Sequence, residues 1–211
     1  YGTGTIAEIA SFYFQNDTKY NIIGFVDDIP SKDIDKFFLN KPVFSLKEAM
    51  EKYPTSSVSF FVAIGYKKTN KIREDRYLQI KSHGYKLATY ISPKSMVFTD
   101  KIGENCFILE GNVIQPYVII GNNVTMWSGN HIGHHSIVKD NVFITSHVVI
   151  SGKCTIGKNS FLGVNSCLHD GIDLGEKTII GAGSIVAKSC DPMSVFLPKL
   201  TACRVIKRDI L

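Results

Sequence analysis

The sequence predicts a small mixed α/β domain followed by a parallel β-helix. Three observations carry that expectation. From Ile102 to Val186 every sixth residue is Ile, Leu, Val or Met, through fifteen hexads without a slip. An α-helix repeats near 3.6 and a strand near 2, so neither yields six over such a length. Before residue 92 the period is absent, and short apolar runs alternate with amphipathic stretches. Ser92-Pro93 separates the two patterns. A triangular prism accounts for the hexads: each is one short side, its first residue points inward, and three sides make a coil of 18 residues.

The first part reads as follows. Tyr1-Gly2-Thr3-Gly4 has the character of a loop after a first strand, so the protein's own N-terminus is expected several residues upstream. Thr5 to Gln15 is expected to be a helix, with Thr5 and Glu8 at capping-box spacing. Tyr20 to Val26 is an apolar strand that ends at Asp27-Asp28. Ser45-Leu46-Lys47-Glu48 is a second capping box and opens a helix to about Tyr53. Val58 to Ile64 is a buried strand ending at Gly65, Asn70 to Ser82 a third helix, and Tyr85 to Ile91 a last strand. This alternation implies a small parallel sheet, Rossmann-like in character. It is too short for a full dinucleotide-binding domain plus a catalytic partner. The expected division is an α/β domain over 1–91, a β-helix over 92–193 and a tail over 194–211.

Within the repeat, small residues four places after the inward one (Cys106, Ser136, Cys154, Ser160) fit tight corners. Asn105, Asn123, Asn141 and Asn159 recur every 18 residues. Asn tolerates left-handed backbone and bonds its own main chain, so a ladder of Asn at one corner is expected. Neighbouring coils lie about 4.8 Å apart, as neighbouring strands do. Open coil ends need caps. The α/β domain is expected at one end and the tail from Ser194 at the other.

Composition bounds the function classes. The 211 residues are 44% hydrophobic, enough for one or two cores. A formal charge of +5 is mild, and Lys67, Lys68 and Lys71 read as a solvated face, not a nucleic-acid footprint. Five cysteines, an odd number without a CxxC pair, fit a reduced cytoplasm. No apolar run reaches transmembrane length and no signal peptide is visible.

The period also brings residues together. Four of six histidines cluster at 131, 134, 135 and 147. His134 plus 18 is Gly152, so the two should be neighbours one coil apart, on an outer ledge. An imidazole there can take a proton from a nucleophile, and a glycine amide can donate to a developing oxyanion. From the residues alone, surface histidines or a metal site remain open. Asp27 and Asp28 either cap a turn or accept from ribose hydroxyls. Gly2, Gly4, Ala7 and Asp27 also fit the dinucleotide fingerprint. Without room for a hydride-transfer domain, a nucleotide sugar is the better ligand than NAD.

The hexads, with Gly2-Thr3-Gly4, Val26-Asp27-Asp28, Val62-Ala63-Ile64-Gly65, the run from Ser128 to His135 and Phe161 to Ser166, resemble a known family. The chain resembles hexapeptide-repeat sugar acyltransferases of the sialic acid O-acetyltransferase family. It is most similar to N-acetyltransferases of nucleotide-linked amino sugars of the bacillosamine and perosamine type. The resemblance implies a left-handed β-helix, against the usual crossover rule, and a homotrimer with acetyl-CoA bound between adjacent helices. It implies His134 as catalytic base and Gly152 as the amide facing the thioester carbonyl. It implies Gly2, Gly4, Asp27 and Asp28 at the nucleotide. His131, which ends its hexad, is expected to line the acceptor pocket from the neighbouring subunit. Gly163, Gly181 and Ala182, with Gly152, fall along the acetyl-CoA arm.

The chain departs from the family pattern in three places. His135 follows the base where many members have Glu, and Phe143 replaces a second His of the motif. Phe196-Leu197-Pro198-Lys199-Leu200 replaces the usual Gly-x-Pro-Ala-Lys. Cys154 and Cys167 are read as packed structural thiols, so no acyl-enzyme is expected. O-acetylation of sialic acid or another glycan hydroxyl is the alternative to amine acetylation. A three-histidine metal enzyme of the γ-carbonic anhydrase type is disfavoured by spacing and by the α/β domain, and no metal is expected. A β-helix scaffold without activity is disfavoured by the intact His134 and Gly152.

Overall fold

The protein is described from a computed structural model that covers residues 1–28 and 37–199. Calls on the last twelve positions, including Leu200 and Cys203, lie outside the described residues.

Three helices, α1 (Thr5–Asp17), α2 (Leu46–Lys52) and α3 (Lys71–Ser82), belong to the first part. The second capping box forms in full: Ser45 Oγ accepts from the Glu48 amide, and the Glu48 carboxylate accepts from the Ser45 amide. The first does not. Thr5 is already helical and Gly4 is the N-cap, with no side-chain cap bond. Glu8 stays in the first turn, where the helix dipole favours a carboxylate. The strands are shorter than the apolar runs. Phe25–Val26 pairs in parallel with Val43 and Phe44, and Ser59–Phe60 pairs in parallel with Lys86–Leu87. Tyr1 and Gly2 sit between these pairs: the Gly2 amide donates to Val26 O, and Tyr1 O accepts from Ala63. The strand expected over 85–91 is two strands. Lys86–Leu87 stays in the α/β sheet, whereas Tyr90–Ile91 heads a β-helix sheet by pairing with Phe107–Ile108.

From there three all-parallel sheets of seven, six and four strands run along the prism. Pairing steps by 18 residues, as in Phe107 to Thr125 to Phe143 to Phe161. The inward residues from Ile108 to Val186 are at most 3% exposed, so the six-residue period names one continuous core. Burying each such side chain contributes about 2 kcal/mol. The coils extend one turn upstream of the hexads. Met96–Val97 pairs with Val113–Ile114 at a step of 17, one residue short. That single-residue shortfall hides the first coil from a strict count of six. At the far end Val195–Phe196 pairs with Ile179–Ile180.

The Asn ladder is present. All four Asn have φ between 53° and 63°. Asn105 Nδ2 donates to Asn123 Oδ1 (2.7 Å), and Asn123 Nδ2 to Asn141 Oδ1 (2.8 Å). The α/β domain docks on this corner. The Val62 amide donates to Asn105 Oδ1, Arg73 Nη2 to Asn141 O, and Asn70 Nδ2 to Asn159 O. Glu74 accepts from Asn141 and Asn159. Aromatic rings fill the adjoining sheet face, with Tyr66 against Phe143 and Phe161, and Phe107 against Tyr13, Phe61 and Tyr90.

Candidate active site

A second corner of the prism gathers the histidine and glycine positions singled out from the sequence. One column steps by 18 through Pro116, His134, Gly152 and Asp170. Its neighbour steps through Tyr117, His135, Lys153 and Gly171, all left-handed, with φ between 60° and 69°. The coil backbones lock together here. Lys153 donates its amide to His134 O at 2.8 Å, and Gly171 to Gly152 O at 2.9 Å. Gly133 is required: a Cβ there would lie 2.4 Å from Ser151 carbonyl carbon. His134 is thus a side chain on a rigid, fully bonded ledge.

The imidazole of His134 lies directly on Gly152. A Cβ added to Gly152 would come within 2.7 Å of His134 Cε1 and 2.9 Å of Nε2. The predicted neighbours therefore meet, and only glycine leaves the ring its place. His134 Nδ1 is 3.1 Å from His135 Nδ1, and the His134 amide donates to Gln115 Oε1 at 2.8 Å. The His135 ring packs 4.6 Å from the Tyr117 ring. Both histidines are solvent-exposed. The Gly152 amide is engaged: it donates to Asp170 Oδ1 at 2.8 Å. Asp170 was not among the residues expected at the site, although one further step of 18 from Gly152 names it. The same step back from His135 names Tyr117.

Cys154 is a packed thiol. It donates weakly to His169 O (3.2 Å), and burial pushes its pKa up. Cys167 differs from expectation. It occupies the outward position of the strand Cys167–Leu168 and is half-buried, because it follows the corner residue Ser166 by one place. His147 (φ 56°) lies at a third corner with its ring against Gly129. His131 faces outward from the strand His131–Ile132, between Val113 and Val149. Gly163 and Gly181 are glycine for packing: a Cβ on Gly163 would lie 2.5 Å from the Ala182 amide, and one on Gly181 would lie 3.0 Å from Pro198 Cδ. Among the described residues, no group of three His, Cys, Asp or Glu is placed to hold a metal ion.

The α/β domain forms a second constellation. Gly2 has φ 114°, and a Cβ there would strike Ala63 O at 2.8 Å. Gly4 opens α1 with space beside it. Thr3 Oγ1 donates to Asp27 Oδ2 at 2.6 Å, and Tyr1 Oη to Asp28 Oδ2 at 2.5 Å. Burial and that bond to Asp28 push the Tyr1 phenol up. Arg76 pairs with Asp28 at 3.1 Å and lies over the Tyr1 ring. The sequence carried no signal for Arg76, since α3 has no spacing tied to the loop. A cleft of about 480 Å³ opens beside Asp28, lined by Met50, Glu51, Gln79 and His83 among others. Its volume is in the range of small-molecule sites.

The fold defines a hexapeptide-repeat protein with a small α/β domain at its N-terminal side. Residues 1–80 match the PglD N-terminal domain, and residues 153–188 match the hexapeptide repeat of succinyl-transferase. These matches place a PglD-type N-terminal domain ahead of a hexapeptide repeat in one chain. A perosamine N-acetyltransferase variant from Caulobacter crescentus, solved with CoA and GDP-perosamine, is 23% identical. It superposes with a TM-score of 0.79 over 92% of this chain and 90% of that one. The acetyltransferase domain of PglB from Neisseria gonorrhoeae, solved with acetyl coenzyme A, is 21% identical, with a TM-score of 0.79 over 91% and 90%. WeeI from Acinetobacter baumannii is 18% identical, with a TM-score of 0.69 over 92% of each chain. At these identities the likeness is one of fold: a small α/β domain followed by a left-handed β-helix. No curated protein matches the sequence.

Proposed function

We propose that the protein is an acetyl-CoA-dependent N-acetyltransferase that acts on the amine of a nucleotide-linked amino-deoxy sugar. The observation that carries this reading is the His134 imidazole seated on Gly152, in a chain whose first 80 residues match the PglD N-terminal domain. The relatives of like fold were solved with CoA and GDP-perosamine, or with acetyl coenzyme A. His134 Nε2 takes the proton of the attacking amine, the acetyl carbonyl carbon accepts the amine nitrogen, and CoA leaves as thiolate. The buried, raised Cys154 thiol supports direct transfer without an acyl-enzyme. For the Gly152 amide to serve the thioester oxygen, the Asp170 carboxylate turns away from it.

Gly2, Gly4, Asp27 and Asp28 hold the nucleotide, with the cleft beside Asp28 receiving part of it. Gly163, Gly181 and Ala182 line the acetyl-CoA arm, and His131 lines the acceptor pocket. The outward faces of two β-helix sheets keep apolar residues exposed, among them Ile119, Ile137, Val149 and Ile185. Such rows fit burial between subunits of a homotrimer. Among the described residues no helix is long and apolar enough to cross a membrane, and a cytoplasmic location fits their free cysteines.

A panel of UDP-, dTDP- and GDP-linked 3-amino and 4-amino sugars, assayed with acetyl-CoA, tests the reading. At least one nucleotide-linked amine should be acetylated faster than free sialic acid. Faster acetylation of free sialic acid would replace the amine with a glycan hydroxyl.

A further inference from the structure

The strongest unassigned feature lies next to the proposed base. His135 Nδ1 stands 3.1 Å from His134 Nδ1, at hydrogen-bond distance. Two facing ring nitrogens share one hydrogen. If both carried one, two donors would oppose each other. If neither did, two lone pairs would.

We propose that His135 is a positioning residue: its neutral Nδ1 accepts the Nδ1 hydrogen of His134 and so leaves His134 Nε2 bare. The proposal rests on the reading of His134 as the base. A base that accepts at Nε2 must carry its own proton at Nδ1, and the partner of that proton sets the tautomer. His135 then keeps its proton on Nε2. As the amine attacks, its proton passes to His134 Nε2, and the Nδ1 hydrogen stays between the rings.

His135 is held for this task. Its backbone is left-handed (φ 60°), its amide donates to Pro116 O at 3.3 Å, and its ring packs against Tyr117. The titratable groups at this corner are His134, Tyr117 on the preceding coil, and Lys153 and Asp170 on the following ones. Asp170 is turned to the Gly152 amide. The hydrogen-bonding partner of the His134 ring is thus an imidazole and not a carboxylate.

The test uses the full-length enzyme with acetyl-CoA and the best nucleotide-linked amine from the panel. It compares the wild type with His134→Ala, His135→Ala and His135→Gln, with thermal melts to show that each is folded. His135→Ala should lower kcat by about 10- to 100-fold, the scale of a misplaced catalytic group. Both KM values should stay within about twofold if the loss is in orientation alone. His135→Gln should recover most of the rate, because its side-chain oxygen accepts a hydrogen bond without titrating. Wild-type kcat in a folded His135→Ala overturns the proposal. The control separates the two ideas. If His134→Ala keeps its rate, the base assignment fails. If only His134→Ala loses rate, the base stands and the positioning role falls.

Discussion

At the scale of single residues, the Gly152 column decides how the site works. The Asp170 carboxylate holds the Gly152 amide, the group that the proposed mechanism assigns to the thioester oxygen. Opening that charge-assisted bond costs about 1.5–3 kcal/mol. Asp170→Ala should therefore lower KM for acetyl-CoA by roughly tenfold or more, measured against a saturating acceptor. A raised KM would assign Asp170 to CoA binding. Gly152→Ala should act in the opposite sense: its Cβ would displace the His134 ring. We expect kcat to fall about 100-fold, since a shift near 1 Å costs that much, with KM for the nucleotide sugar unchanged. Loss of the folded thermal transition would point to misfolding instead. In the other constellation, Asp28→Ala frees Tyr1 Oη and Arg76. It should raise KM for the nucleotide sugar about tenfold, the worth of one hydrogen bond to a charge, and spare acetyl-CoA. An unchanged nucleotide-sugar KM would remove Asp28 from the binding site.

At the scale of elements, the corners of the prism are where sequence and structure agree most and also where they part. A period of six is a constraint on every coil, so inward residues and the Asn ladder follow from counting. Asn123 is fully buried, left-handed and bonded to ladder partners on both sides. Asn123→Ala leaves two buried polar groups unpaired, at about 1–3 kcal/mol each. Ala also tolerates left-handed backbone less well than Asn, at roughly 1 kcal/mol more. A loss of about 3 kcal/mol or more in a denaturant titration is expected, and Asn123→Gly should recover only the backbone part. Equal stability of Asn123→Ala and wild type would show that the ladder adds nothing. Elsewhere local signals were weaker than tertiary ones. Thr5 and Glu8 had capping-box spacing, but Gly4 took the cap because the loop through Gly2 is pinned to Val26 and Ala63. Tyr90–Ile91 read as the end of an α/β strand, yet Phe107–Ile108 offered it a longer sheet.

At the scale of the whole molecule, the α/β domain sits on the Asn corner, and the histidine ledge is a different corner of the same prism. The change of period at Ser92-Pro93 and the step of 18 were legible without three-dimensional knowledge, but the α/β domain, expected to cap one coil end, lies along the Asn corner over several coils instead. What was not legible depends on side-chain direction. Arg76 reaching Asp28, Asp170 turning to Gly152, and Arg73 burying its guanidinium against Asn141 O are choices among rotamers. Burial pulls the Arg73 pKa down to about 9, and no pattern in the chain announces a cation there. The site's chemistry nonetheless converges on one side chain. The most direct measurement is kcat of folded His134→Ala with saturating acetyl-CoA and the best nucleotide-linked amine. The account predicts a fall of about 10²- to 10⁴-fold, the scale of general base catalysis, with the acceptor still bound. A wild-type kcat would contradict it.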